Sequence, residues 1–140
     1  MGVDRFENLV AWQRSVELCG EVFKLSEPRR NDDKFWGQIR DAAESAPSLI
    51  AEGFLRFTTA EFIRYLRMAR AELGEVQSDL AVGIVDGRFT AAEAAAAVTI
   101  ARRAMGTTTN LLKAKLRQQA EERRAKNAAK RKPPRRRRRK

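Results

Sequence analysis

The sequence predicts an all-α protein, an antiparallel up-down four-helix bundle followed by a basic tail. Apolar residues recur at three- and four-residue steps over four long stretches, and no stretch shows the period-two alternation of a strand. Capping and turn signals separate the four stretches by short connections, which favours antiparallel neighbours. With 140 residues the chain is long enough for one domain with its own core.

The first helix is expected from about Arg5 to Leu25. Leu9, Trp12, Val16, Cys19 and Phe23 form one stripe on it, taken as the core side. Ala11, Leu18, Val22 and Leu25 form a second stripe on roughly the opposite side. A helix in a free monomeric bundle needs one apolar face, so the second stripe points to contact with another subunit. Pro28, Asn31 and Asp32 mark a loop, with Asn31 or Asp32 as N-cap of a second helix from about Asp33 to Glu52. Thr58 and Glu61 form a T-x-x-E capping box for the third helix, whose core stripe is Phe62, Leu66, Ala69, Leu73, Val76 and Leu80. Asp86-Gly87 ends it.

Thr90 and Glu93 repeat the capping box and open the fourth helix, expected to persist to about Lys126. Val98, Ala101, Met105, Thr108, Leu112 and Leu116 are its expected core side, with Ile100, Ala104 and Leu111 as a secondary, subunit-facing strip. Pro133-Pro134 forbids further helix, and no core-forming residue follows. The expected division is therefore a bundle over residues 1–126 and a disordered polybasic tail over 127–140.

Pro47 falls inside the second helical stretch, where proline costs about 3 kcal/mol through a lost hydrogen bond and a clash. Its neighbours Ala42, Ala43, Ser45, Ala46, Ser48 and Ala51 are small and would admit close approach of another backbone. One reading is a kinked, continuous helix. The other is a helix that stops at Ala46 and restarts at Pro47, with Ser45 as its cap.

Charge is unevenly placed. Residues 113–140 hold 15 basic and 2 acidic side chains, whereas the first 112 residues hold 14 and 16. The formal charge of +11 therefore belongs to an appendage on a near-neutral body. Histidine is absent, which removes Ser-His and Cys-His catalysis and most zinc and di-iron ligand sets. Cys19, the one cysteine, reads as a small apolar packer in a reducing compartment. Neither a metal nor a cofactor is expected. The start of the chain has no secretory pattern and no stretch is long and apolar enough to span a bilayer, so a cytoplasmic location is expected.

The basic tail, Lys130, Arg131, Lys132, Arg135, Arg136, Arg137, Arg138, Arg139 and Lys140, is the strongest functional signal. A run of arginines neutralises phosphates without reading base sequence, so the expected partner is nucleic acid, either RNA or cDNA. Arg64, Arg67 and Arg70 on the third helix form a second candidate phosphate-contacting strip; the alternative is a solvated face paired with Glu61 and Glu75. Trp12, Phe23, Phe35, Trp36 and Phe62 read as core rather than as base-stacking platforms, while Phe54 and Phe57 lie near a turn. Glu44, Glu52, Glu61, Glu72 and Glu75 lack the histidine or phosphate loop that catalysis would need, so no enzyme is expected.

Three segments, in order, carry a resemblance. QIRDAAESAPSLIAEG, Gln38 to Gly53, resembles the "QIRRAAxSIPSNIAEG" signature of the bundle proteins encoded by intervening sequences in bacterial 23S rRNA genes. Phe6, Leu9, Trp12 and Gln13 resemble that family's opening "F-x-x-L-x-x-W-Q/K", and Glu61 to Arg70 resembles its "EFxRFLxIAxGS". Leu49 stands where the motif has Asn, and Ala71-Glu72 where it has Gly-Ser. The resemblance spans about residues 5–116 and implies a ring-shaped homo-oligomer, commonly a pentamer. It extends to the accessory variability proteins of diversity-generating retroelements, which partner a reverse transcriptase and bind nucleic acid. The expected function is thus a non-enzymatic, oligomeric nucleic-acid-binding accessory protein, partnering a retroelement reverse transcriptase or rRNA. The alternative is a scaffold that docks a polymerase or other protein through the ring surface.

Overall fold

The computed structural model describes residues 2–29 and 34–131. Four helices make up nearly all of it: α1 (Val10–Ser26), α2 (Lys34–Phe54), α3 (Thr59–Val85) and α4 (Ala91–Lys130), with no strand among the described residues. They form a four-helix bundle in which α1 packs on α2 and α4, and α3 packs on the same two. Along α3 and α4 the partners run in opposite numerical order, with Thr59 meeting Glu122 and Arg70 meeting Thr109.

The first helix begins later than its periodicity predicts. Phe6–Asn8 forms a single 3-10 turn, and Leu9 is extended before α1 starts. Gln13 Nε2 donates to the Glu7 carbonyl at 2.9 Å, tying that turn to the helix it precedes. The expected caps Asn31 and Asp32 lie outside the described residues. Both capping boxes form: Glu61 N donates to Thr58 Oγ1 and Glu93 N to Thr90 Oγ1, each at 3.1 Å, with each glutamate accepting in return from its cap's backbone N–H. After α3 the chain reverses at Gly87, whose φ of +72° is open to glycine at no steric cost.

Two clusters fill the interior. One joins Leu18, Val22 and Leu25 of α1 to Trp36 and Ile39 of α2, Leu73, Val76 and Leu80 of α3, and the alanines of α4. The other joins Leu9 and Ala11 to Ile50, Phe62, Ile63, Leu66 and Leu112. The expected third-helix stripe is buried throughout.

Leu9 at the start of the expected core stripe is buried, but along α1 itself the two stripes exchange roles. Ala11, Leu18 and Val22, expected to face another subunit, are buried inside the monomer at 3%, 0% and 1% exposure. Val16 and Phe23 of the supposed core stripe are 39% and 43% exposed, with Trp12 and Cys19 half-buried. Both stripes satisfy helical periodicity equally, and only the direction of the partner helices distinguishes them.

A similar shift corrects α4. Ala104, expected on the outer strip, is fully buried beside Ala94, Ala97 and Ala101, whereas Val98, Met105 and Leu116 are only partly buried. Alanine on the inward line lets α4 lie close against its neighbours, which leaves the larger side chains to fill the flanks. Ile100 and Leu111 are such flanking residues, packed against the monomer's own clusters.

Pro47 is internal to an unbroken α2 and is buried. The helix therefore neither stops at Ala46 nor restarts after it. The missing N–H of Pro47 leaves the Ala43 carbonyl, four residues earlier, without its usual donor. Cys19 Sγ on α1 approaches that carbonyl at 2.9 Å and donates to it. The cysteine is therefore a hydrogen-bond donor to the helix beside it as well as a packer. Burial, reinforced by Glu44, pushes its thiol up to about 11, which keeps it protonated as that role requires.

Candidate nucleic-acid interface

The three α3 arginines are all exposed, and the fold divides them. Arg67 and Arg70 line an open depression of about 460 Å³ between α3 and α4, with Ala71, Met105 and Leu112. Arg70 Nε donates to Thr109 Oγ1 at 3.0 Å, which holds its guanidinium toward α4. Arg64 does not reach this depression. Glu61 is committed to its capping box, and among the described residues neither it nor Glu75 forms an ion pair with these arginines, as the alternative reading had it. Arg64 and Arg67 have no ion-pair partner among the described residues.

Helix α4 carries a further line of cations that periodicity and composition did not single out. Arg103, Lys113, Arg117 and Arg124 are exposed and fall within about 80° of one another at 100° per residue. Arg103, Arg117 and Arg124 recur at multiples of 7, a signal obscured by the denser charge run further on. Helix α4 continues four residues past its expected end, helped by Ala128 and Ala129, so Lys130 is its last residue and Arg131 its C-cap. The remaining predicted tail cations, Lys132, Arg135 to Arg139 and Lys140, lie outside the described residues.

At the α2–α3 end, Glu52 of the AEG motif is engaged rather than available. Its Oε1 accepts from Arg56 Nη2 at 2.7 Å and from Tyr65 OH at 3.0 Å, and the Arg56 guanidinium lies 4.9 Å from the Tyr65 ring centroid. The Arg56 bond, then the Tyr65 bond, hold the Glu52 carboxyl below its ordinary range. Gly53 follows because α2 and α3 approach closely there: a Cβ on it would lie 2.6 Å from Tyr65 Cβ. Leu49, in place of the motif's Asn, packs against the second apolar cluster. These features explain the motif as a helix junction. Among the described residues no group of three or more His, Cys, Asp or Glu could hold a metal ion, and no helix is long and apolar enough to cross a membrane.

A four-helix bundle with a closed AEG junction between α2 and α3 and a basic surface on α3 and α4 defines the class of protein. Residues 7–97 match the family described as 23S rRNA-intervening sequence protein. The match covers more than half of the chain, which belongs to that family. No curated protein matches it.

Proposed function

We propose that this chain is a non-enzymatic nucleic-acid-binding accessory protein that works as a ring of up-down bundles, with RNA or cDNA as its partner. The observation that carries the reading is the accumulation of exposed positive charge on α3 and α4. Arg67 and Arg70 on α3 and Arg103, Lys113, Arg117 and Arg124 on α4 are all exposed, and the chain after α4 is almost wholly basic. The opposite numerical order of partners along α3 and α4 supports the antiparallel arrangement. The exposed α1 residues Val16 and Phe23 mark the face that contacts a second subunit, in place of the buried residues first expected there. rRNA, or a retroelement reverse transcriptase with its cDNA, is the partner class that the resemblance implies.

Removal of residues 127–140 tests the reading. If about five phosphates are neutralised per tail, the salt slope on single strands is roughly −3.5, and raising salt from about 50 to 200 mM weakens binding about a hundredfold. The truncated protein is expected to lose most of that slope for all sequences alike, since phosphate contacts carry no base information. Equal affinity and slope with and without the tail would favour the scaffold role instead. Pull-down with nuclease treatment separates the two, because a docked protein partner survives digestion.

A further inference from the structure

The inward line of α4 runs through Ala94, Ala97, Ala101, Ala104, Thr108 and Leu112, all buried. At the same three- and four-residue steps it continues through Leu116 and Gln119 to Arg123, Lys126 and Lys130. These cations lie within about 60° of the core direction, at 100° per residue. The bundle they would face has already ended: Thr59, the first residue of α3, meets α4 at Glu122, Oγ1 to Oε1 2.9 Å. Helix α4 therefore projects about 12 Å further, at 1.5 Å per residue, with its former core line turned cationic and exposed.

The end of the bundle beneath this projection is closed by the α2–α3 loop. Phe57 there is 102% exposed and Leu55 66%, the most exposed aromatic and one of the most exposed aliphatics in the described chain. Phe57 borders a depression of about 190 Å³ whose other walls include Phe54, Phe62, Lys115 and Gln118. Three nearby acids are engaged. Glu52 is held by Arg56 and Tyr65, Glu61 by its capping box, and Glu122 by Thr59 and Gln118. Arg123, Lys126 and Lys130 have no ion-pair partner among the described residues.

An exposed ring at the end of the bundle from which an unpaired cationic line projects offers both contacts that a strand of unpaired nucleotides uses, a face for a base and charge for its phosphates. A duplex keeps its base faces stacked and could use only the charge. We propose that the corner between the α2–α3 loop and the projecting end of α4 binds single-stranded nucleic acid. Phe57 stacks one unpaired base, and Arg123, Lys126 and Lys130 hold the adjoining phosphates. This rests on the nucleic-acid reading above and narrows it to unpaired strands at one end of the bundle.

The test uses the full chain and two probes, a labelled oligouridine of about 12 nucleotides and an RNA duplex of the same length. Phe57→Ala is expected to weaken oligouridine binding roughly 5- to 150-fold with an unchanged salt slope, leave duplex binding unaltered, and be rescued by Phe57→Trp. Replacing Arg123, Lys126 and Lys130 together by Gln should instead flatten the salt slope by about 2, at roughly 0.7 per phosphate contact. Circular dichroism checks the fold, which a fully exposed side chain should not disturb. If the unaltered protein binds neither probe at about 50 mM salt, the nucleic-acid reading itself falls. If it binds both but Phe57→Ala matches it, only the present proposal is overturned. The present proposal is overturned in the same way if Phe57→Ala changes sedimentation, or binding to anionic phospholipid vesicles, while oligouridine affinity stays constant.

Discussion

Cys19 Sγ on α1 stands 2.9 Å from the carbonyl of Ala43 on α2, the one helical acceptor that Pro47 is unable to serve. A thiol on one helix thus compensates for a proline in the next, and the two residues form a unit although 28 positions separate them. Cys19→Ala should destabilise the fold by about 1–3 kcal/mol, the range for an orphaned buried acceptor. Cys19→Ser, which keeps a donor, should lose less. Pro47→Ala restores the N–H, so the cost of Cys19→Ala should shrink by at least about 0.5 kcal/mol in that background. Urea denaturation of the four proteins of the cycle measures this, and strict additivity would refute the coupling.

Thr108 is fully buried on α4, and its Oγ1 has no hydrogen-bond partner. Thr108→Val keeps the shape and removes the unsatisfied hydroxyl. It should raise stability by about 1 kcal/mol, visible as a higher urea midpoint with an unchanged slope.

The exchanged faces of α1 make opposite demands on two substitutions. Leu18→Glu should abolish folding, since it places a charge at a fully buried position and costs on the order of 4 kcal/mol or more. Phe23→Glu, at a position 43% exposed, should leave helicity intact and shift sedimentation toward monomer. Equal loss of circular dichroism signal from both would contradict the assignment.

Asp79 supplies the pH dependence. Burial, then the charge of Glu75 four residues before it, raises its carboxyl above the ordinary 3.8, and its Oδ2 is buried without a partner. The folded state thus holds this proton more tightly than the unfolded chain. Its stabilising contribution is present below pH 3.8 and is lost as pH rises through the folded value. Asp79→Asn should therefore raise the melting temperature at pH 7, by removing a like-charge pair worth about 0.2–0.5 kcal/mol, and give no gain near pH 3. Glu93 acts in the reverse sense. The Thr90 backbone N–H, then Arg29, hold its carboxyl low, so its contribution is present at neutral pH and lost on acidification.

Gly53 tests the closeness of α2 and α3. A Cβ there meets the Cβ of Tyr65, an atom fixed by its own backbone, so Gly53→Ala should cost about 1–3 kcal/mol instead of the gain that alanine normally brings to a helix. Thermal unfolding decides it.

The sequence by itself determined what is local. The capping boxes at Thr58–Glu61 and Thr90–Glu93 fixed where α3 and α4 begin, because the donor and acceptor of each lie within one turn. The Asp86-Gly87 turn and the buried stripe of α3 follow from the same short-range rules. The segregation of positive charge toward one end of the chain is likewise a property of residue order alone. Tertiary structure decided the facing wherever a helix offers two apolar stripes. Leu18 and Phe23 are equally compatible with a core stripe, and only the positions of α2 and α4 bury one and expose the other. Ala104, placed by periodicity on a subunit-facing strip, is buried because α4 lies close enough to its neighbours to make small size the requirement. Pro47 could end a helix or sit within it. The donor that makes the second outcome tolerable comes from Cys19, which no spacing within α2 could disclose. Periodicity gives the angle between residues on one helix, but the direction of the core is set by neighbours that are remote in sequence.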